Sequence, residues 1–247
     1  MTGETPRSLW IVPSRGRSAR LGDMLDAALE LSSGHADFAV CTDDDDAGLP
    51  GYQALQARVP AGRVLWFHGR RRSMCAWTNY IAAHPRACRY ASLGSMGDDH
   101  VPRTQGWDLV LAAAVASPGI GIAYGDDLHQ HEGLPTAPLI SRQVADALGW
   151  LCLPGLLSKF CDNVWKQLGD GAECLAYVPR VVIEHVHPDA GKAGMDETYQ
   201  HGYADWPGDE HIYKLWRGTG PGDEHSAAAA DIRTVRQAMA RRATVTA

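Results

Sequence analysis

The chain has 247 residues, of which 45% are hydrophobic and 21% charged, enough for one large folded domain with a sizeable core. A formal net charge of −6 excludes broad non-specific binding to nucleic acid, which needs a basic face, but leaves room for a local basic groove. No run approaches the roughly 18 apolar residues of a membrane span and no apolar signal core opens the chain, so a cytoplasmic protein without a membrane partner is expected.

In chain order, residues 8–12 read as a short buried strand, broken by Pro13-Ser14-Arg15-Gly16-Arg17, with Ser18 opening a helix through Leu31. Residues 38–41 form a second strand, closed by the acidic run Thr42-Asp43-Asp44-Asp45-Asp46, and residues 63–67 a third. A helix over 73–83 follows, then a strand over 90–93 that enters Met96-Gly97-Asp98-Asp99-His100. Thr104 opens a helix through Ala116, and 121–124 is a fifth strand. Beyond these, 163–168 reads as a helix, 178–187 as a strand or hairpin, and 227–242 as a terminal helix. Residues 188–225, rich in Gly, Pro, Asp and His, read as ordered loops or a lid. The alternation predicts a mixed, mostly parallel α/β sheet flanked by helices. We divide the one fused domain into a first half (1–127), a second half with a lid (128–225), and a C-terminal helix (226–247).

Ligands of such sheets sit at the carboxyl ends of the strands. Here those ends carry Pro13 to Arg15, Thr42 to Asp46, His68 to Arg72 and Gly97 to His100, all polar and charge-rich. Asp98 and Asp99 suit a hard divalent cation, Mn²⁺ or Mg²⁺, whose shell is completed by substrate phosphates. Strand alternation would aim Asp98 and His100 one way and Asp99 the other. Asp43, nearest its strand, is the member of the acidic run placed to accept from a base or ribose. Arg70-Arg71-Arg72 offers guanidinium forks to a diphosphate, with Asn79 two turns along the same helix. His185 and His187 share a side if extended, and His185 is a candidate third metal ligand. Asp162 reads as a helix N-cap, as a general base, or as both, since a capped carboxylate is well oriented. Against each stands a plain reading: solvated aspartates in turns, a basic turn, and histidines with backbone partners. Cys41, Cys75, Cys88, Cys152, Cys161 and Cys174 form no Cys-x-x-Cys pair, so buried reduced thiols are expected rather than disulfides or zinc ligands.

The order Ile11-Val12-Pro13-Ser14-Arg15-Gly16-Arg17, Thr42-Asp43, Arg72 with Asn79, Gly97-Asp98-Asp99-His100 and Val101 to Asp108 resembles the glycosyltransferase A fold. The likeness is to inverting nucleotide-diphospho-sugar transferases of bacteria and phages, and it covers residues 8–127 well and 128–190 loosely. It implies that Pro13, Ser14 and Asp43 meet the nucleoside, that Arg15 and Arg72 lie near the phosphates, and that Asp98 and Asp99 form the acidic motif. It further implies His185 as the late metal ligand, Asp162 as the base, and a UDP-type sugar donor. The acidic motif is compressed, with Gly97 in its first slot, and Cys161-Asp162 stands where relatives carry a Glu-Asp pair. The acceptor is open: a hydroxymethylpyrimidine in phage DNA, with Arg70 to Arg72, Arg86, Arg89 and Arg103 as a basic groove, or a protein or small molecule. Two other classes compete. A sugar nucleotidyltransferase would need a glycine-rich loop with a lysine near the first strand, and a non-catalytic nucleotide-binding module would lack turnover.

Overall fold

The computed structural model describes residues 7–220 and 222–246. Its centre is an eight-stranded sheet. The strands are β1 (Ser8–Pro13), β2 (Ala36–Asp43), β3 (Val64–Gly69), β4 (Ser92–Ser95), β5 (His100–Pro102), β6 (Ile122–Asp126), β7 (Pro138–Ser141) and β8 (Leu175–His185). They lie in the order β3-β2-β1-β4-β7-β6-β8-β5. The β3-β2-β1-β4 run is parallel throughout, and β6 pairs parallel with β8. Only β7 and β5 run against the rest, so the mixed, mostly parallel sheet expected from the sequence is present.

Both faces are covered, and strand alternation decides what each receives. Leu9, Ile11, Ala39 and Cys41 pack with α3 (Met74–Ala82), α5 (Arg142–Leu148), α6 (Cys161–Gly171) and α8 (Ala227–Thr246). Trp10, Val12, Phe38 and Val40 pack with α1 (Ser18–Glu30), α2 (Leu49–Arg58) and α4 (Trp107–Ala116). Successive residues of β1 and β2 therefore enter opposite cores, which explains why these strands read as continuous apolar runs. Trp10 crosses β4 at a glycine: a Cβ on Gly94 would sit 2.2 Å from the indole.

Several expectations need correction. Residues 197–217, expected as loops or a lid, form the 21-residue helix α7 (Glu197–Arg217), which runs through Gly202, Pro207 and Gly208. Its signal was the N-cap: Asp196 accepts from the Tyr199 amide at 3.0 Å. Thr104 caps no helix; Gly106 precedes α4, and the Thr104 hydroxyl accepts from the Val182 amide at 2.9 Å. Ser73 does cap α3, accepting from the Ala76 amide at 3.2 Å. Of the cysteines, five are buried and free as expected, but Cys88 is exposed. Among the described residues, no helix is long and apolar enough to cross a membrane.

Candidate active site

The carboxyl ends of β1, β2, β4 and β8 converge on one cleft of about 680 Å³. Pro13, Ser14, Arg15, Asp43, Arg72, Asp98, Asp99, Asp162 and His185 all line it. Asn79 does not. Its amide donates to the Cys152 carbonyl and accepts from the Leu151 and Cys152 amides, each at 2.8 Å, so it ties α3 to the 149–160 loop. Helical periodicity placed it beside Arg72, but a backbone segment from elsewhere in the chain takes its polar atoms.

After β4 the chain turns at Asp98-Asp99, with the His100 amide bonded to the Gly97 carbonyl at 3.2 Å. The alternation expected for residues 98–100 does not apply, because two of the three are in a turn. The Asp99 carboxylate and His100 Nδ1 meet at 3.0 Å instead. Glycine at 97 makes this possible: a Cβ there would lie 2.4 Å from Asp99 Oδ1. The compressed acidic motif thus has a steric reason.

β5 pairs with β8 so that His100 faces His185, and their rings stack with centroids 4.0 Å apart. His185 Nε2 lies 3.6 Å from Asp99 Oδ2. Ligand atoms of Asp99, His100 and His185 fall within 4.8 Å of one another. His100 Nε2 and His185 Nδ1 are buried with no hydrogen-bond partner, a costly state that a further ligand would relieve. Burial, then the His100 ring, depresses the His185 pKa, favouring the neutral imidazole that binds metals. Burial and then His185 take His187 down to about 4. Against its own burial, contacts from His100 and His185 hold Asp99 well below the usual carboxylate range. One carboxylate and two imidazoles suit a divalent ion.

Asp98 is built differently. It accepts from Ser14 Oγ at 2.6 Å and from Arg17 Nη1 at 3.2 Å. Burial, then the neighbouring Asp99 charge, raises its pKa to about 6. Arg17 is the residue sequence reasoning missed. It also binds Asp196 through Nε and Nη2 at 2.9 and 2.5 Å, and stacks 3.8 Å from the Tyr199 ring centroid. Tyr199 in turn donates to Asp99 Oδ2 at 2.8 Å. The start of α7 is therefore wired into the acidic motif. Arg17 precedes α1 directly, a position from which its side chain reaches the strand ends.

Asp43 accepts from Trp77 Nε1 at 2.8 Å, the Arg72 amide at 3.1 Å and Arg15 Nη1 at 3.0 Å. Arg72 lies 4.5 Å from the Trp77 and Tyr80 rings, which brace its guanidinium beside the cleft. Asp162 is the second residue of α6 and not its cap; Phe160, in a left-handed conformation, holds that place. The Asp162 carboxylate accepts from the Asn163 amide at 3.1 Å, and burial raises its pKa.

No family model and no curated protein matches the sequence. Solved structures do match the fold. A mannosyltransferase from Pyrobaculum calidifontis, in complex with GDP-Man and Mn²⁺, is 15% identical, with a TM-score of 0.62 over 97% of this chain and 75% of that one. Glucosyl-3-phosphoglycerate synthase from Mycobacterium tuberculosis, with Mn²⁺, UDP and phosphoglyceric acid, is 13% identical, with a TM-score of 0.55 over 85% of this chain and 78% of that one. A 4-diphosphocytidyl-2C-methyl-D-erythritol synthase from Anaerococcus prevotii is 8% identical, with a TM-score of 0.52 over 85% and 97%. The same architecture thus carries a mannosyltransferase and synthases of different products, and chemistry must be argued from the site. The chain has the glycosyltransferase A fold.

Proposed function

We propose that the protein is a metal-dependent, inverting glycosyltransferase that takes a sugar from a nucleotide-diphosphate donor. The observation that carries this reading is the convergence of Asp99, His100 and His185, two of them with orphaned ring nitrogens, at the carboxyl edge of the sheet beside Arg15 and Arg72. Asp99, His185 and His100 would hold the metal; a bound Mn²⁺ or Mg²⁺ would offset charge on the leaving diphosphate. Asp98, held by Ser14 and Arg17, is left to the donor. Pro13, Ser14 and Asp43 flank the nucleoside, and Arg15 and Arg72 supply cations to the phosphates. Asp162 lines the same cleft with a raised pKa, suited to accept the acceptor hydroxyl proton. The freed oxygen bonds to the anomeric carbon while the bond from that carbon to the diphosphate oxygen breaks, and the proton stays on Asp162. One base and one displacement give inversion.

The nucleotidyltransferase reading loses support in the turn after β1, where Pro13 to Arg17 contains no lysine. A non-catalytic module would not need a desolvated carboxylate at 162. For the acceptor we propose a hydroxyl of hydroxymethylpyrimidine in phage DNA, supported by Arg71, Arg72 and Lys159 at the cleft. Arg103 does not extend that groove: it follows β5, at the opposite edge of the sheet from β3, and pairs with Glu184 at 2.9 Å. A cytoplasmic site of action belongs to the same reading.

The test is a nucleotide-sugar panel with Mn²⁺ or EDTA, read by melting temperature and donor hydrolysis. A UDP- or GDP-sugar that stabilises only with Mn²⁺ supports the reading; equal shifts in EDTA overturn it. Incubation with hydroxymethylated DNA, digestion to nucleosides and mass measurement then tests the acceptor. Donor hydrolysis without a sugar-bearing nucleoside would move the acceptor to a protein or small molecule.

A further inference from the structure

Behind the cleft, three sulfurs from three separate segments meet. Cys75 is in the first turn of α3, Cys152 in the loop after α5, and Cys161 begins α6. All three are buried, between 0% and 3% exposed. Their Sγ atoms lie within 4.8 Å of one another, and those of Cys75 and Cys161 are 3.1 Å apart. Zinc–thiolate bonds of about 2.3 Å place sulfurs around one ion roughly 3.8 Å apart, inside the range these distances bracket. Cys161 also donates to the Lys159 carbonyl at 3.8 Å, a local bond like that of Cys41 to the Ala39 carbonyl at 3.6 Å, which metal binding would replace.

Cys75 and Cys161 both occupy the first turn of a helix, whose free amides and dipole stabilise a thiolate.

We propose that Cys75, Cys152 and Cys161 form a thiolate site for a soft metal ion of the zinc and copper(I) class, distinct from the Asp99 site. Thiolate ligands select such ions over Mg²⁺ or Mn²⁺. Binding releases the protons of the thiols that are not already ionised. Loading pins α3 and the 149–160 loop to the start of α6, one residue before Asp162.

The full chain, purified under reducing conditions and stripped with chelator, is titrated with Co²⁺, whose thiolate complexes show a near-ultraviolet charge-transfer band that carboxylate and imidazole ligands do not give. We expect the band to saturate at one equivalent in the wild type, in Asp99→Asn, which disables the other metal site, and in Cys88→Ser. It should be lost in Cys75→Ser and Cys152→Ser. Zn²⁺ should displace the band and raise the melting temperature of Asp99→Asn. Absence of the band from the folded wild type, or its survival in both Cys75→Ser and Cys152→Ser, would overturn the proposal. So would a wild-type mass two hydrogens light under the same conditions, which would mark a disulfide. The wild-type titration stands even if a variant fails to fold. No readout requires sugar transfer, so this proposal and the glycosyltransferase reading fail separately.

Discussion

The carboxylates of Asp99 and Asp108 are both buried, yet the chain treats them in opposite ways. Asp108, in the first turn of α4, collects amide hydrogen bonds from Ser33, His35 and Ala36 at 2.8 to 3.1 Å, with the Ser32 hydroxyl at 2.5 Å. Asp209 does likewise for the amides of Leu157, Ser158 and Lys159. These groups are satisfied and hold loops in place. Asp99 has a tyrosine hydroxyl and two histidine rings, each ring leaving a buried nitrogen without a partner. A buried carboxylate surrounded by amides is finished by the fold; one surrounded by unfinished side chains is a place for something else.

Substitution at Asp99 should break this comparison most sharply. Asp99→Asn is expected to abolish transfer and remove metal-dependent donor binding while the far-ultraviolet circular dichroism stays native. A folded Asp99→Asn protein with full turnover would reject its role. Next comes Asp162→Asn, expected to lower kcat by about 10²–10⁴-fold with donor affinity little changed. Its carboxyl pKa is raised in the folded state, so the charged form costs stability that is lost as pH rises through that pKa. The variant should therefore melt no lower than wild type at neutral pH. The rising limb of the wild-type kcat profile should lie above the usual carboxylate range, and a flat profile would remove Asp162 as base.

A smaller effect is expected for Arg17→Lys, which keeps the charge but loses the fork that joins Asp98 to Asp196. A fall of about tenfold in kcat/KM corresponds to one charge-assisted hydrogen bond, ~1.4 kcal/mol; an unchanged value would make the bridge ornamental. Asp108→Asn should leave transfer per folded molecule unchanged while costing about 1–3 kcal/mol in urea unfolding. Against its burial, the bond from Ser32 and then the amides of Ser33 and His35 lower the Asp108 pKa. Its contribution is present above the unfolded carboxyl pKa and is lost as acid brings the pH down through the folded value. A variant of wild-type stability would erase the distinction between the two carboxylates.

The sequence exposed the proposed donor side because β1 and β2 are buried on both faces, so their apolar runs end abruptly where Pro13, Ser14, Arg15 and Asp43 begin. It hid β5 and β7, which have 3 and 4 residues and too little pattern to register. His100 stood in plain view beside Asp99, but its meeting with His185 depends on the pairing of β5 with β8, a contact between distant residues. Arg17, Asp196 and Tyr199 form one cluster only because α7 exists, and glycine and proline within it masked the helix. Asn79 shows the reverse: Arg72 lies before α3 and not on it, and tertiary contacts with Leu151 and Cys152 decide the role of Asn79.

Proline at 207 has a consequence for how α7 holds together. It cannot donate to the Tyr203 carbonyl one turn earlier, so the ladder of the helix has a missing rung near its middle. Upstream of the gap, Tyr199 and Trp206 line the cleft. Downstream, Asp209 clamps the 157–159 amides and Trp216 donates to Asp231 at 2.8 Å. Both stretches hold the 157–160 loop, through Asp205 and Asp209, while the early one reaches the acidic motif through Tyr199 and the late one reaches α8 through Trp216, so each can open with its own free energy. Hydrogen exchange would resolve α7 into an early block and a late one, with the border at a residue that has no amide to exchange.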